Sequence, residues 1–189
     1  MSLIQLAEEI HAAAVKKGFW DVDMAVDKHV AKLRGELGEA IQEDRCGRPM
    51  LYVDDIEVCE RITDPAMFDG RKPEGVAAEL ADFVMMMLDW MQESHEESVM
   101  ITAEFTAPQP MRDVLRGTHF VQLINSLYHS VEAVCCGKDT PAGEFYSAMI
   151  FSVYGPALWL EERGIDIWEV VRLKMAYNAS RPALHGRLY

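Results

Sequence analysis

Four acidic side chains are spaced so that they could bind a metal ion between two helices. Glu36 lies three residues before Glu39, and Glu79 lies three residues before Asp82. Residues three apart project from one face of a helix, so each pair presents two carboxylates to the same neighbour. Carboxylates without nearby cysteine or histidine favour Mg²⁺ or Mn²⁺, and Mg²⁺ completes its coordination shell with water and substrate phosphates. The spacing therefore predicts a Mg²⁺ site, with Mn²⁺ as the alternative ion, and phosphate chemistry at that site.

The segment that carries Glu79 and Asp82 predicts a buried helix. At about 100° per residue, apolar side chains cover almost the whole circumference of residues 76–91. Burying an uncompensated carboxylate is costly and burying two costs more, so these acids must either be protonated or hold a cation. Glu36 lies on the apolar side of its own helix, and Glu39 lies at the margin of that side. If one of these carboxylates accepts a proton from an attacking water, the sequence does not decide which one, and Glu39 is the candidate because its marginal position could reach a water that the others do not hold.

Three further stretches give the chain the motif order of a known enzyme superfamily. Lys17-Gly-Phe-Trp20 precedes the first acid pair, and Arg71-Lys-Pro-Glu-Gly75 leads into the second. Near the end, Lys174-Met-Ala-Tyr-Asn178 is followed by Arg181-Pro and His185-Gly. In this order, the motifs resemble those of the all-α nucleoside triphosphate pyrophosphohydrolases, the MazG-like and dimeric dUTPase-like superfamily. The matches extend from one end of the chain to the other, and the middle of the chain lies outside them.

The resemblance implies an all-α fold, similar to a four-helix bundle of the MazG type, with Mg²⁺ bound by all four acids. It implies hydrolysis of a nucleoside triphosphate to the monophosphate and pyrophosphate, which removes unwanted nucleotides from the pool. Lys174 and Arg181 would bind the triphosphate, and Asn178 would contact sugar or phosphate. A base could stack on Trp20, because nucleobases stack readily on aromatic faces. Which nucleobase is preferred stays open.

Other interpretations of the same residues predict different outcomes. Phosphoribosyl-ATP pyrophosphohydrolases share the general fold and are the enzymatic alternative. A helical binding or scaffold protein with relic acids is the non-enzymatic alternative, and it predicts no metal affinity and unchanged melting when Glu36, Glu79 or Asp82 is neutralised. Independently of that alternative, the acids could lie at the edge of the core and extend to water. The basic residues near the C-terminus would then only complement a helix dipole. If the acids are instead buried together, Asp82→Asn is expected to raise stability without metal, because it removes repulsion between like charges.

Length and charge set limits on the kind of protein. A chain of 189 residues, half of them hydrophobic, is long enough for one domain, 1–189, with its own core. A net charge of −13 argues against nucleic acid as a partner, since phosphate backbones are repelled. The sequence has neither a signal-peptide pattern nor the roughly twenty apolar residues of a membrane helix. We expect a cytoplasmic protein without a membrane partner, which forms a homodimer or higher homo-oligomer like most members of the superfamily.

Apolar periodicity and breaking residues divide the domain into elements. Helices are predicted at 3–16, 26–45, 76–91, 119–130, 144–162 and 165–178, the last with Asp166 as its N-cap. Residues 47–72 form an inserted loop near the substrate mouth, with one or two helical turns. Residues 111–163 form an extra helix pair. Residues 119–130 align on 29–40, with Ser126 and His129 in place of Glu36 and Glu39. This similarity indicates a degenerate internal repeat, or chance similarity between two apolar helices.

Overall fold

A computed structural model describes residues 2–20, 26–54, 56–57, 70–93, 109–135 and 140–182. These ranges contain seven helices, α1 (Leu3–Lys16), α2 (Val26–Arg45), α3 (Val76–Glu93), α4 (Gln109–Leu115), α5 (Phe120–Cys135), α6 (Ala142–Glu161) and α7 (Ile167–Ser180). A short antiparallel ribbon pairs β1 (Tyr52–Val53) with β2 (Ile56–Glu57). The predicted all-α class is confirmed, and the MazG-type bundle stays a prediction. Among the described helices, none is both long enough and apolar enough to cross a membrane.

Helix α3 is the centre of the fold. It packs against α1, α2, α6 and α7. Its buried positions span nearly its whole circumference, as the sequence predicts for a helix with apolar side chains on every side. They include one carboxylate, Glu79, among residues such as Ala78, Leu80 and Phe83. The acids of α3 are therefore held on a helix that its neighbours enclose.

Two helix pairs lie side by side around this centre. Helix α2 packs against α3, and α5 packs against α6. The pairs also meet each other, α2 against α5 and α3 against α6. An ion pair between Arg34 and Glu132 joins α2 to α5. Helix α2 thus contacts α5, which contains the segment that aligns on it, and the internal repeat itself stays a prediction.

The helix ends follow the local signals in the sequence. Helices α1 and α2 have the predicted bounds, and α3 runs two residues past the predicted end at 91. Gly18, just beyond α1, has a φ of 82°, a conformation that glycine adopts without steric cost. The Asp166 carboxylate accepts a hydrogen bond from the backbone N–H of Trp168 at 2.9 Å, which confirms it as the N-cap of α7.

The ribbon is an element that the sequence did not predict. It lies in the predicted inserted loop, 47–72, for which one or two helical turns are expected, and the described part of that loop contains the β1–β2 pairing. Tyr52, Val53 and Ile56 are aromatic or β-branched residues, which favour extended backbone over helix. Asp54 accommodates the turn with a φ of 49°, a conformation that aspartate tolerates better than most residues. Residues 58–69 of the predicted insertion lie outside the described residues.

The hairpin anchors the start of α3. Tyr52 and Glu74 exchange two backbone hydrogen bonds, each of 3.0 Å, and Ala77 N donates to the Met50 carbonyl oxygen at 2.9 Å. Gly75 between them has a φ of 102°, and a Cβ there would lie 2.7 Å from the Met50 carbonyl oxygen. Only glycine fits that close approach without displacing backbone. The contact fixes the first turn of α3, where Glu79 lies.

Candidate functional site

Helices α2 and α3 bring three acidic side chains together. One carboxylate oxygen from each of Glu36, Glu39 and Glu79 lies within 4.8 Å of the other two. Glu79 is 4% exposed, Glu36 is half-buried and Glu39 is exposed. This order of burial agrees with the sequence prediction that Glu39 lies at the margin of the helix face. Three carboxylate oxygens at this separation are the donors that a hard divalent cation prefers.

The surroundings of these carboxylates disfavour their charged forms. Burial, followed by the charges of Asp82, Glu39 and Glu79, raises the pKa of Glu36 to about 8. Burial also raises the pKa of Glu79 to about 7, against the opposing effect of Lys174. A bound cation would offset the repulsion that contributes to both shifts. The donor set therefore fits Mg²⁺ or Mn²⁺.

Asp82, the fourth predicted ligand, forms an ion pair. Its Oδ2 lies 2.5 Å from Nζ of Lys174, whose side chain is 2% exposed. The same Nζ lies 3.5 Å from the Pro73 carbonyl oxygen. Burial lowers the pKa of Lys174, but the charges of Asp82 and Glu79 outweigh it and raise the pKa. Lys174 thus neutralises Asp82, and its predicted contact with triphosphate stays a prediction.

The acids line a cavity of about 290 Å³ between α1, α2, α3 and α7. That volume is at the lower end of the range typical of small-molecule sites. All of the predicted site residues except Lys174 line it, namely Trp20, Glu36, Glu39, Glu79, Asp82, Asn178 and Arg181. The structure therefore brings together residues from both ends of the sequence. The predicted motif residue His185 lies outside the described residues.

Basic side chains also line the cavity. Lys17, Lys32, Lys72 and Arg181 contribute to its wall. The Nζ of Lys17 donates to the carbonyl oxygens of Ala179, at 3.1 Å, and of Arg181, which ties the end of α1 to the end of α7. Cations and carboxylates on one wall suit a ligand that carries phosphate together with a metal ion. Lys32 was not singled out in the sequence, although it lies four residues before Glu36 on the same helix face.

An aromatic group forms another part of the wall. The Trp20 ring stacks on His29 at a centroid distance of 5.0 Å and an interplanar angle of 25°. Its Nε1 donates to Oδ1 of Asp89 at 3.0 Å, and Nδ1 of His11 contacts the same oxygen at 2.8 Å. The sequence prediction included Trp20 and missed the other three. A signal for two of them was present, because His29 and Asp89 lie seven residues from Glu36 and Asp82 respectively, on the faces that carry the acids.

Comparisons with protein-family models, with curated proteins and with solved structures find no match to this chain. Membership of the pyrophosphohydrolase superfamily is therefore a hypothesis based on motif order. The chemistry that the site can perform is inferred from its side chains and their distances.

Proposed function

We propose that this chain is a Mg²⁺-dependent nucleoside triphosphate pyrophosphohydrolase, similar in type to the all-α superfamily that its motifs resemble. The observation that carries the proposal is the position of Glu36, Glu39 and Glu79, with oxygens within 4.8 Å of one another on the wall of a cavity. The same cavity has basic and aromatic side chains on other parts of its wall. These are the groups needed for the phosphates and the base of a nucleotide.

The carboxylates would divide the catalytic work according to their burial. Glu36, Glu39 and Glu79, with Asp82 as the fourth predicted ligand, would hold the cation. Mg²⁺, when bound, polarises a phosphoryl oxygen and lowers the pKa of water. Glu39 is the most exposed of the three clustered acids, and it would accept the proton of the attacking water. The water oxygen forms a new bond to phosphorus as the α–β phosphoanhydride bond breaks, giving the monophosphate and pyrophosphate.

The rest of the wall would bind the substrate. Lys17, Lys32 and Arg181 would balance the negative charge of the triphosphate, and the Asn178 amide would contact sugar or phosphate. Lys174 would act from behind the cluster, because its ion pair fixes the Asp82 carboxylate. By the same resemblance, the enzyme would remove unwanted nucleotides in the cytoplasm, as a homodimer or higher homo-oligomer. Light scattering after size-exclusion chromatography would test the assembly.

A panel of nucleoside triphosphates and deoxynucleoside triphosphates tests the proposed activity. We expect equal amounts of pyrophosphate and monophosphate in the presence of Mg²⁺, and neither product when EDTA is added. Glu36→Gln should abolish the release. Asp44→Asn is the matched control, because it removes a carboxylate from the same helix at an exposed position outside the cavity. If no triphosphate and no phosphoribosyl-ATP is cleaved, and Mg²⁺ does not bind, the helical binding protein is the better account.

A further inference from the structure

We propose that the cavity binds its nucleobase at the Asp89 end, formed by Trp20, His29 and Asp89, and that Asp89 selects bases that present an amino group. The inference rests on the proposed function for the statement that the ligand is a nucleotide. The selectivity follows from the position and bonding of Asp89.

The cavity has an acidic end and an aromatic end. On α2, His29 precedes Glu36 by seven residues, and on α3, Asp89 follows Asp82 by seven residues. Seven residues are about two helical turns, or about 10 Å. The two helices run in opposite directions here, because Glu36 lies beside Glu79 whereas His29 stacks on Trp90 at 6.2 Å. Both helices therefore place the predicted metal ligands at one end of the cavity and His29 and Asp89 at the other. The separation of about 10 Å leaves room for a sugar between phosphate and base.

The aromatic end supplies a surface on which a base can stack. Trp20 and His29 both line the cavity, and their rings lie nearly parallel, with 25° between the planes. His29 continues the stack onto Trp90, with 19° between the planes. Such a stack of rings offers an aromatic face, on which any of the nucleobases can stack. Stacking alone would not distinguish one base from another.

Asp89 supplies the distinguishing group. Its Oδ1 lies 2.8 Å from Nδ1 of His11 and accepts from Trp20 at 3.0 Å, whereas its Oδ2 has, among the described residues, a single longer contact with Trp20, of 3.3 Å. The side chain keeps 18% of its surface exposed and lines the cavity. These contacts hold the carboxylate in place, and Oδ2 retains acceptor capacity on a side chain that lines the cavity. An ionised carboxylate accepts hydrogen bonds and cannot donate them.

A fixed acceptor favours amino groups over carbonyl groups. Cytosine and adenine present an exocyclic amino group where uracil and hypoxanthine present a carbonyl oxygen. An amino group would donate to Oδ2 of Asp89, and a carbonyl oxygen would leave it unpaired and be repelled. A site built around such a hydrogen bond rejects the analogue that lacks the donor, here by about tenfold or more. If His11, Asp89 and Trp20 only brace α1 against α3, no such preference would exist.

Calorimetric titration of the full-length chain with monophosphates, in the presence of Mg²⁺, tests this without requiring turnover. We expect CMP to bind at least about tenfold more tightly than UMP, or AMP than IMP, or both. A difference between CMP and UMP would indicate a pyrimidine site, and a difference between AMP and IMP would indicate a purine site. Equal affinity within both pairs, tighter binding of UMP or IMP, or no binding at all would overturn the inference. If the protein prefers CMP to UMP or AMP to IMP but releases no pyrophosphate from any triphosphate, only the proposed activity is refuted. If it releases pyrophosphate but shows no such preference, only the base selection is refuted.

Substitution of Asp89 tests the residue itself. Asp89→Asn keeps the shape of the side chain and adds a hydrogen-bond donor. It should therefore reduce the ratio of CMP to UMP affinity, or of AMP to IMP affinity, about tenfold. Glu93→Gln is the matched control, because Glu93 Oε2 lies 3.4 Å from the other ring nitrogen of His11 and does not line the cavity. It should leave the ratio unchanged. An unchanged ratio in Asp89→Asn, or an equal loss in Glu93→Gln, would contradict selection by Asp89. If Asp89→Asn does not fold, the wild-type ratios decide.

Discussion

The ammonium of Lys174 lies 2.5 Å from the Asp82 carboxylate in the interior, where Lys174 is 2% exposed. The chain thus neutralises one of the four acids itself, and the other three face one another with oxygens within 4.8 Å. This arrangement determines how the site should respond to substitution, to pH and to metal. It also places a residue of the C-terminal motif in contact with the second acid pair.

Removing the charge of Asp82 should destabilise the metal-free protein. The sequence alone predicts a gain in stability from lost repulsion, but Asp82→Asn would leave a buried ammonium without its ion-pair partner. Glu36 and Glu79 remain near it, so we expect a loss of about 2 kcal/mol, less than for an isolated buried pair. Denaturant unfolding in EDTA measures it. The double variant Asp82→Asn/Lys174→Met should recover most of the loss, and a double variant no more stable than Asp82→Asn would contradict this account.

Stability without metal should fall as pH rises. The folded-state pKa of Glu36 is about 8 and that of Glu79 about 7, both raised from 4.5. Because the folded chain binds these protons more tightly, their stabilising effect is complete below about pH 4.5 and is lost as pH rises through about 8. In EDTA, the Tm of the wild type should decrease from about pH 5 to about pH 8 more steeply than the Tm of Glu36→Gln. A steeper decrease in the variant would be the opposite of what we expect.

Mg²⁺ should offset the loss of stability at high pH. Protons compete with the cation for the same carboxylates, so Mg²⁺ should raise the Tm more at about pH 8 than at about pH 5. The measurement is thermal unfolding with and without Mg²⁺ at each pH. Asp44→Asn, on the same helix, should behave as wild type. If the gain in Tm is the same at both pH values, or the same in Glu36→Gln as in the wild type, the ion binds at a site other than these carboxylates.

Gly75 should be far less tolerant of alanine than a glycine inside α2. Gly75→Ala places a Cβ 2.7 Å from backbone oxygen and strains a φ of 102°, so we expect a loss of about 3 kcal/mol. A Cβ at Gly35 meets nothing within 4 Å, and Gly35→Ala should stabilise its helix by about 0.5 kcal/mol. Chemical denaturation compares the two. Similar effects from both substitutions would show that the hairpin does not constrain α3.

Lys17 should affect substrate affinity through the position of Arg181. Its Nζ binds the carbonyl oxygens of Ala179 and Arg181 at the end of α7. Lys17→Met should therefore raise KM for the nucleotide about tenfold with a smaller change in kcat. Lys16→Met is the neighbouring control, since Lys16 is exposed and does not line the cavity. A wild-type KM in Lys17→Met would show that Lys17 takes no part in substrate binding.

Sequence reasoning succeeds where a feature depends on nearby residues. The bounds of α1 and α2 follow from apolar periodicity, and the position of each acid pair on one helix face follows from the three-residue spacing within it. The hairpin at 52–57 was missed because a short apolar segment does not distinguish helix from strand. The contacts Lys174–Asp82 and His11–Asp89 join residues far apart in the chain, and no local pattern predicts which helices will meet.

The most direct test of the metal-dependent cleavage is ³¹P NMR of a nucleoside triphosphate with Mg²⁺ and the protein. The account predicts monophosphate and pyrophosphate in equal molar amounts, so that the pyrophosphate signal integrates to twice the monophosphate signal, and both signals are lost in Glu36→Gln and retained in Asp44→Asn. Release of inorganic phosphate with a diphosphate, or an unchanged triphosphate across the nucleotide panel, would contradict it.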